Sequence, residues 1–335
     1  MEEIIMHMSD ALLSPAVALT MCAAAGAAVA YSAAKLKKNE FSEKKLPLTA
    51  IAGAFVFAAQ MINFTIPGTG SSGHIGGGIL LAALVGGDAA LLAVTAVLVI
   101  QALFFADGGL LALGCNIFNM GVIPCLVVYP LVFTPMLKSG VTRGRLAAAS
   151  IASALLALQA GAFSVVLETT SSGITALPFS TFVMLMQPIH LAIGLVEGLV
   201  TGAVLSFVWK AQPELPDFAT ASSESRPMKR VLALFAALAL LCGAILSSFA
   251  SSYPDGLEWS ILKVTGKEEL EASGEIFDRS AALQQRTAVM PDYDFAEGEG
   301  KGTAAAGVIG SAATFVLAAA VCALVSRSKK KGLPN

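Results

Sequence analysis

Two of the three histidines in this 335-residue chain stand where packing alone explains them poorly. His7 lies in Met6-His7-Met8-Ser9-Asp10, and His74 in Gly70-Ser71-Ser72-Gly73-His74-Ile75-Gly76-Gly77-Gly78. Both segments read as irregular backbone beside apolar helices, a setting in which a polar side chain needs a partner or a cavity. A chain that begins at Met6 can offer one ion its amine, the backbone nitrogen of His7 and an imidazole nitrogen of His7. The amine and amide close a five-membered chelate ring, and the amide and imidazole close a six-membered one. An imidazole from His74 would complete four nitrogens, a planar set that suits Ni(II) or Cu(II). Ligation through a deprotonated amide weakens in acid. The glycines around His74 allow positive φ and a close approach of backbone to an ion. Competing readings are two ordinary histidines at helix ends, and a true start at Met1 that leaves His7 an ordinary side chain.

Further polar residues interrupt the apolar runs. Gln101, Asn116 and Asn119 are uncharged amides, and Asn116 and Asn119 share a helix face at i, i+3. They are placed to bond the amino-terminal segment or a ligand, or to glue helices together. His190 and Glu197 share a face two turns apart and should look into the bundle, since both are costly in lipid. Their axial separation of about 10 Å makes them structural or coupling residues instead of co-ligands of one ion. Ala23, Ala24, Ala27 and Ala28 form small-residue faces for close packing, inside the molecule or against a partner. Cys22, Cys115, Cys125, Cys242 and Cys322 lie in apolar runs without a Cys-x-x-Cys pair and read as small buried residues.

The elements that must position these groups are membrane helices. Hydrophobic residues make up 56% of the chain and charged residues 13%, with mean hydropathy +0.76, too little polar surface to cover a soluble body. Apolar runs at 15–34, 48–66, 75–87, 88–106, 110–136, 146–167, 180–209, 231–249 and 304–325 approach or exceed the ~20 residues a spanning helix needs. Continuous Ala, Leu and Val argue against an alternating β-barrel pattern. The fold class expected is therefore all-α and polytopic: a seven-helix bundle plus two further transmembrane helices. The 75–87 run is short and Gly-rich, ending in a Gly86-Gly87-Asp88 turn, so it either spans or re-enters. Pro188 is expected to kink or break the 180–209 helix. The amino terminus lacks a signal peptide's basic stretch and cleavage site.

Sixteen of the twenty-one Lys and Arg residues fall in alternate connections and in the tail, which predicts an external amino terminus and a cytoplasmic carboxyl terminus. A Pro-, Ser- and Glu-containing stretch at 211–230 reads as a cytoplasmic linker. It separates a domain at 6–210 from one at 231–335, whose two helices enclose an external loop at about 250–303. That loop holds Tyr253-Pro254-Asp255-Gly256-Leu257-Glu258-Trp259, a turn entering a short amphipathic helix. The sequence contains no Gly-x-x-x-x-Gly-Lys-[Ser/Thr] phosphate loop and no His-Glu-x-x-His, and its basic residues read as topology signals. No internal repeat points to an inverted-repeat transporter.

Several motifs together resemble a known family, the CbiM/NikM substrate-binding membrane components of energy-coupling factor (ECF) importers for cobalt and nickel. They are the segment from Met6 to Pro15, the Gly-rich stretch around His74, Gln101 to Gly109, Leu113 to Gly121 and His190 to Leu199, covering about residues 6–210. The stretch Pro254 to Glu258, with Pro291-Asp292-Tyr293, resembles the PDGLE-type companion subunit, so the chain is similar to a fusion of the two. The resemblance implies Ni(II) or Co(II) as transported substrate, held by the Met6 amine, the His7 amide and imidazole, and His74. Asp10, Gln101, Asn116, Asn119, His190 and Glu197 would stand as supporting residues. It also implies partners, a transmembrane coupling (T) component and cytoplasmic ATPase subunits, with no catalysis and no bound nucleotide on this chain. Met1 to Ile5 precede the Met-His pair with which the family begins, and translation is expected to start at Met6. Nickel is preferred on the planar-site argument. A secondary transporter coupled to ions, working without ATPase partners, is the alternative; it would need mid-membrane relay residues, to which only Asp107, Glu168 and Glu197 come near. A metal-sensing receptor is a third possibility.

Overall fold

A computed structural model describes residues 7–39, 45–213, 216–218, 228–268, 270–295 and 302–327. Met6 lies outside them. The order is α1 (Pro15–Lys38), α2 (Lys45–Gln60), β1 (Phe64–Ile66), β2 (Ser71–Gly73), α3 (Gly78–Val85), α4 (Gly87–Phe104), α5 (Leu113–Leu137), α6 (Arg143–Ser172), α7 (Phe179–Ala211), α8 (Lys229–Ala244), α9 (Gly256–Thr265), α10 (Glu275–Thr287) and α11 (Thr303–Arg327). Seven of these described segments are long and apolar enough to cross a membrane: α1, α4, α5, α6, α7, α8 with its following turn, and α11. This is an all-α, polytopic integral membrane protein, and the first bundle has seven helices of which five are long.

The two short helices are where the structure departs from the run-length reading. The run at 48–66 ends as a helix at Gln60, and its last residues pair instead as a hairpin, Phe64 opposite Gly73 and Ile66 opposite Ser71. The 75–87 run contains only the eight-residue α3, about 12 Å long by the helical rise and too short for a hydrocarbon core of ~30 Å. All eight of its residues are buried. Such a segment survives at membrane depth only where protein satisfies its ends. Glu197 accepts from the N–H groups of Gly76 and Gly77 at 2.7 and 3.0 Å, just ahead of α3. The Asp217 N–H donates to Ala83 O at 2.9 Å near its other end. Gly86, with φ +92°, turns the chain into α4.

Helix α7 runs unbroken through Pro188, so the expected break does not occur. In α5, which holds Pro124 and Pro130, the Thr134 N–H reaches Tyr129 O, a widened i→i+5 pattern that follows the two missing N–H donors. Helix α6 packs most extensively against α7, and α11 and α8 pack against α2. The carboxyl-terminal helices thus wrap the short α2, twelve of whose sixteen residues are buried. Glycine makes that fit close: Gly243 and Gly307 meet backbone to backbone, and Gly310 lies against the Phe57 ring. At one pole of the bundle Lys35 pairs with Asp88 at 2.9 Å and Lys45 with Asp217 at 2.7 Å.

Candidate metal centre

At the opposite pole the chain brings His7 and His74 together, ring centroids 5.5 Å apart and planes tilted by 47°. An ion about 2 Å from a nitrogen of each ring would lie roughly 3 Å from each centroid, a spacing that the 5.5 Å separation matches. Among the described residues no three His, Cys, Asp or Glu side chains form a metal cage. The two rings are what this pole offers an ion from its described imidazoles at close range.

His7 precedes a short turn, Asp10–Leu12, and depends on distant residues for its place. Asn116 clamps the next residue from both sides: Met8 N–H donates to its Oδ1, and its Nδ2 donates to Met8 O, each at 3.2 Å. Gly109 N–H donates to the same carbonyl at 3.0 Å. Asp10 Oδ1 accepts from Ala112 N–H at 2.9 Å, and Oδ2 accepts from Ser280 Oγ at 2.6 Å. The His7 ring is buried, and its Nδ1 donates to Asp107 Oδ2 at 2.9 Å. Its Nε2 is buried with no hydrogen-bond partner. A buried imidazole nitrogen left so is costly and is the kind of atom that a metal ion satisfies. The six-membered ring with the His7 amide would pass through Nδ1, the nitrogen that Asp107 holds. Ligation in that mode must displace the Nδ1 proton from Asp107.

His74 is placed by its own backbone. It follows β2 directly, and its Nδ1 meets Ile75 O at 3.2 Å. Glu197 holds the two amides at 76 and 77. Gln60 Nε2 donates to Gly76 O at 2.9 Å, and Gln101 Nε2 donates to Gln60 Oε1 at 2.9 Å. A cavity of about 110 Å³ opens beside His74, lined among others by Asn116, Asn119, His190, Glu197 and Asp255.

Most of the supporting residues named from sequence thus converge on the two histidines, by two routes. Asn116 and Asp10 hold the amino-terminal segment; Glu197 and Gln101 hold the loop of His74. Asn119 is instead interhelical glue, its Nδ2 donating to Glu168 Oε2 at 2.9 Å. His190 lines the cavity and donates from Nδ1 to Met186 O at 2.8 Å. Cys22 is exposed, against expectation, because α1 turns most of its surface outward; the other four cysteines are buried.

Residues of the carboxyl-terminal region were absent from the sequence-based site, yet they wall it. Asp255 caps α9 by accepting from Leu257 and Glu258 N–H at 2.8 and 2.9 Å, and Glu258 returns a bond to Asp255 N–H at 3.0 Å. Burial pushes the Asp255 carboxyl up to about 7. Ser72 N–H donates to Pro254 O at 2.8 Å and Trp259 Nε1 to Thr69 O at 3.1 Å, which fastens α9 to the hairpin leading to His74. The missed signal for Asp107 was a lone acid between an apolar helix and Gly108-Gly109.

Comparison with known proteins gives the family. Residues 7–215 match the family CbiM, the cobalt uptake substrate-specific transmembrane region. The chain belongs to the CbiM family. Residues 229–327 match the PDGLE domain, so the companion-type region is present on the same chain. The fused nickel transport protein NikMN of Rhodobacter capsulatus is 33% identical over 263 residues, 71% of each chain. The cobalt transport protein CbiM of Geobacter sulfurreducens is 30% identical over 217 residues, 63% of this chain and 61% of its own. The crystal structure of a truncated transition metal transporter superposes with TM-score 0.54 at 32% identity, covering 62% of this chain and 99% of its own. As a CbiM-family protein the chain is a transport component.

Proposed function

We propose that this chain is the substrate-binding membrane component of an ECF-type ATP-driven importer, capturing Ni(II) or Co(II) at a four-nitrogen site on the external face. The observation that supports the reading most is the meeting of the His7 and His74 rings, centroids 5.5 Å apart, at the pole opposite the Lys35–Asp88 and Lys45–Asp217 pairs. The Met6 amine, the His7 amide and one imidazole from each histidine would hold the ion, with Asp107 accepting the proton that ligation displaces. Nickel is favoured over cobalt by the planar preference of its ion, and relatives carry names of both kinds. The amino terminus faces outward and the carboxyl terminus the cytoplasm, following the basic residues. The region at 6–210 binds the metal, 211–230 links, and 231–335 is the companion domain. ATP hydrolysis belongs to cytoplasmic subunits joined through a T component. Ala23, Ala24 and Ala27, exposed on α1, offer that partner a surface for close helix packing.

The alternative of an ion-coupled secondary transporter is disfavoured by one observation. The two acids within its helices are engaged in holding structure, Glu168 with Asn119 and Glu197 with the glycine amides. The test is metal retained by the purified full chain. His7→Ala and His74→Ala are each expected to abolish bound Ni(II), and unchanged stoichiometry in either removes that residue from the site. Mass spectrometry of the native amino terminus must find Met6 first, and a residue added ahead of it must weaken binding. Uptake that persists without the ATPase subunits would favour the secondary transporter.

A further inference from the structure

The segment between α10 and α11 reaches the carboxylate that holds His7. Val289 and Met290 donate backbone N–H groups to Phe104 O at 2.8 and 3.1 Å, and Asp292 donates to Phe105 O at 2.9 Å. These bonds lay the turn Pro291–Tyr293 along the end of α4, where the Tyr293 ring stacks on Phe105, centroids 4.7 Å apart and planes 10° from parallel. The phenol donates to Asp107 Oδ2 at 2.5 Å, the same oxygen that accepts from His7 Nδ1. Tyr293 is only 1% exposed. Burial, reinforced by the Asp107 charge, pushes its phenol well above the ordinary range, so the hydroxyl stays a donor. Gln284 steadies the same stretch, its Nε2 donating to Ala102 O at 3.0 Å and Gly108 O at 2.6 Å.

Backbone strain singles out the same contact. Among the described residues, three that are not glycine have left-handed φ: Ala106 at 57°, Asp292 at 54° and Tyr293 at 60°. All three flank the bond between Tyr293 and Asp107. Side chains disfavour this backbone region, and it persists only where the surroundings over-determine it. A turn that merely covered the bundle would have no need of it.

We propose that Tyr293 is a positioning residue for metal capture: by fixing Asp107 it orients the His7 imidazole, so that the PDGLE region tunes a site it does not ligate. This rests on the metal-site reading above. Outer-shell partners of a ligating imidazole are worth 10–100-fold in metal affinity. Here Asp107 holds the ring by the nitrogen the ion would take, so it fixes the ring before the ion arrives and receives the Nδ1 proton as the ion binds. Tyr293 acts one bond further out. An Oδ2 that serves two donors also grips each less firmly, which leaves Nδ1 easier for an ion to take.

The experiment titrates Ni(II) into the purified full chain by calorimetry and follows the visible absorption of the bound ion. Y293F keeps the stacked ring and removes the donor. It is expected to bind Ni(II) about 10-fold more weakly, with a shifted absorption band and a melting temperature near that of the parent. Because Tyr293 works through Asp107, Y293F should cost nothing further in a D107N background. Affinity within twofold of the parent, or the same loss in both backgrounds, overturns the proposal. If Y293F is not recovered folded, D107N alone decides: Ni(II) affinity within twofold of the parent overturns it. H7A separates the two readings. Its retention of native affinity removes the metal site itself, whereas abolished binding in H7A with Y293F unaffected removes only the role of Tyr293.

Discussion

His7 is held by side chains from distant helices, whereas His74 is held through the backbone on either side of it. Asp107 and Asn116 reach the His7 segment across 100 and 108 residues, because that segment has only a three-residue turn of its own. His74 follows a paired strand and precedes a helix start, so its ladder and the Glu197 grip on two amides define where its backbone lies. The companion-type region reinforces each in its own manner, Tyr293 through a carboxylate and Pro254 through a main-chain bond to Ser72. The contrast teaches that one site can have a half made sensitive to side-chain chemistry and a half made sensitive to backbone geometry.

The comparison breaks most sharply at Gly108. Its φ is +75°, and a Cβ there would lie 2.8 Å from the His7 Cβ and 3.0 Å from Asn116 Nδ2. Gly108→Ala should push the His7 segment aside and remove most Ni(II) binding, in addition to about 1–2 kcal/mol of backbone cost. Calorimetric titration and thermal unfolding check both, and native affinity would show that the segment's placement is not what holds the ion.

The His74 half is sharpened by Glu197→Gln. Glutamine has one acceptor where the carboxylate uses two, and its NH₂ group would face an amide N–H. We expect roughly a 10-fold weaker Ni(II) site with faster hydrogen exchange at Gly76 and Gly77. Unchanged exchange would mean that the glycine turn holds its own shape.

The smallest effect concerns Asp255. Its carboxyl sits at about 7 when folded against an ordinary 3.8, chiefly through burial. The folded chain therefore binds that proton more tightly than the unfolded chain. Stability from this group is fully present below about pH 4 and is lost as pH rises through about 7. Asp255→Asn retains an N-cap acceptor and should flatten the dependence of melting temperature on pH between 4 and 8. Parallel curves for the two proteins would rule out Asp255 as the source.

Legibility of the site from the residues alone divides along the same line. The two histidines, the glycines after His74, and Asn116 and Glu197 stood out because polar groups in apolar runs demand partners. The role of Asp107 did not, since an acid at a helix end has solvent as an equally good explanation. Tyr293 was visible only as part of a motif, 186 residues from the carboxylate it touches.

Composition and run length were enough to make this a polytopic helical membrane protein, because a bilayer imposes a length and a polarity on every segment that crosses it. They also marked where glycine would free the backbone. That α3 is swallowed by the bundle instead of spanning, that Pro188 leaves α7 intact, and that a tyrosine near the far end of the chain meets the partner of His7 were decided by tertiary packing. Hydropathy and periodicity report a residue's relation to solvent and to its near neighbours. Which distant polar groups satisfy one another follows from the order in which helices pack, and no local pattern carries that order.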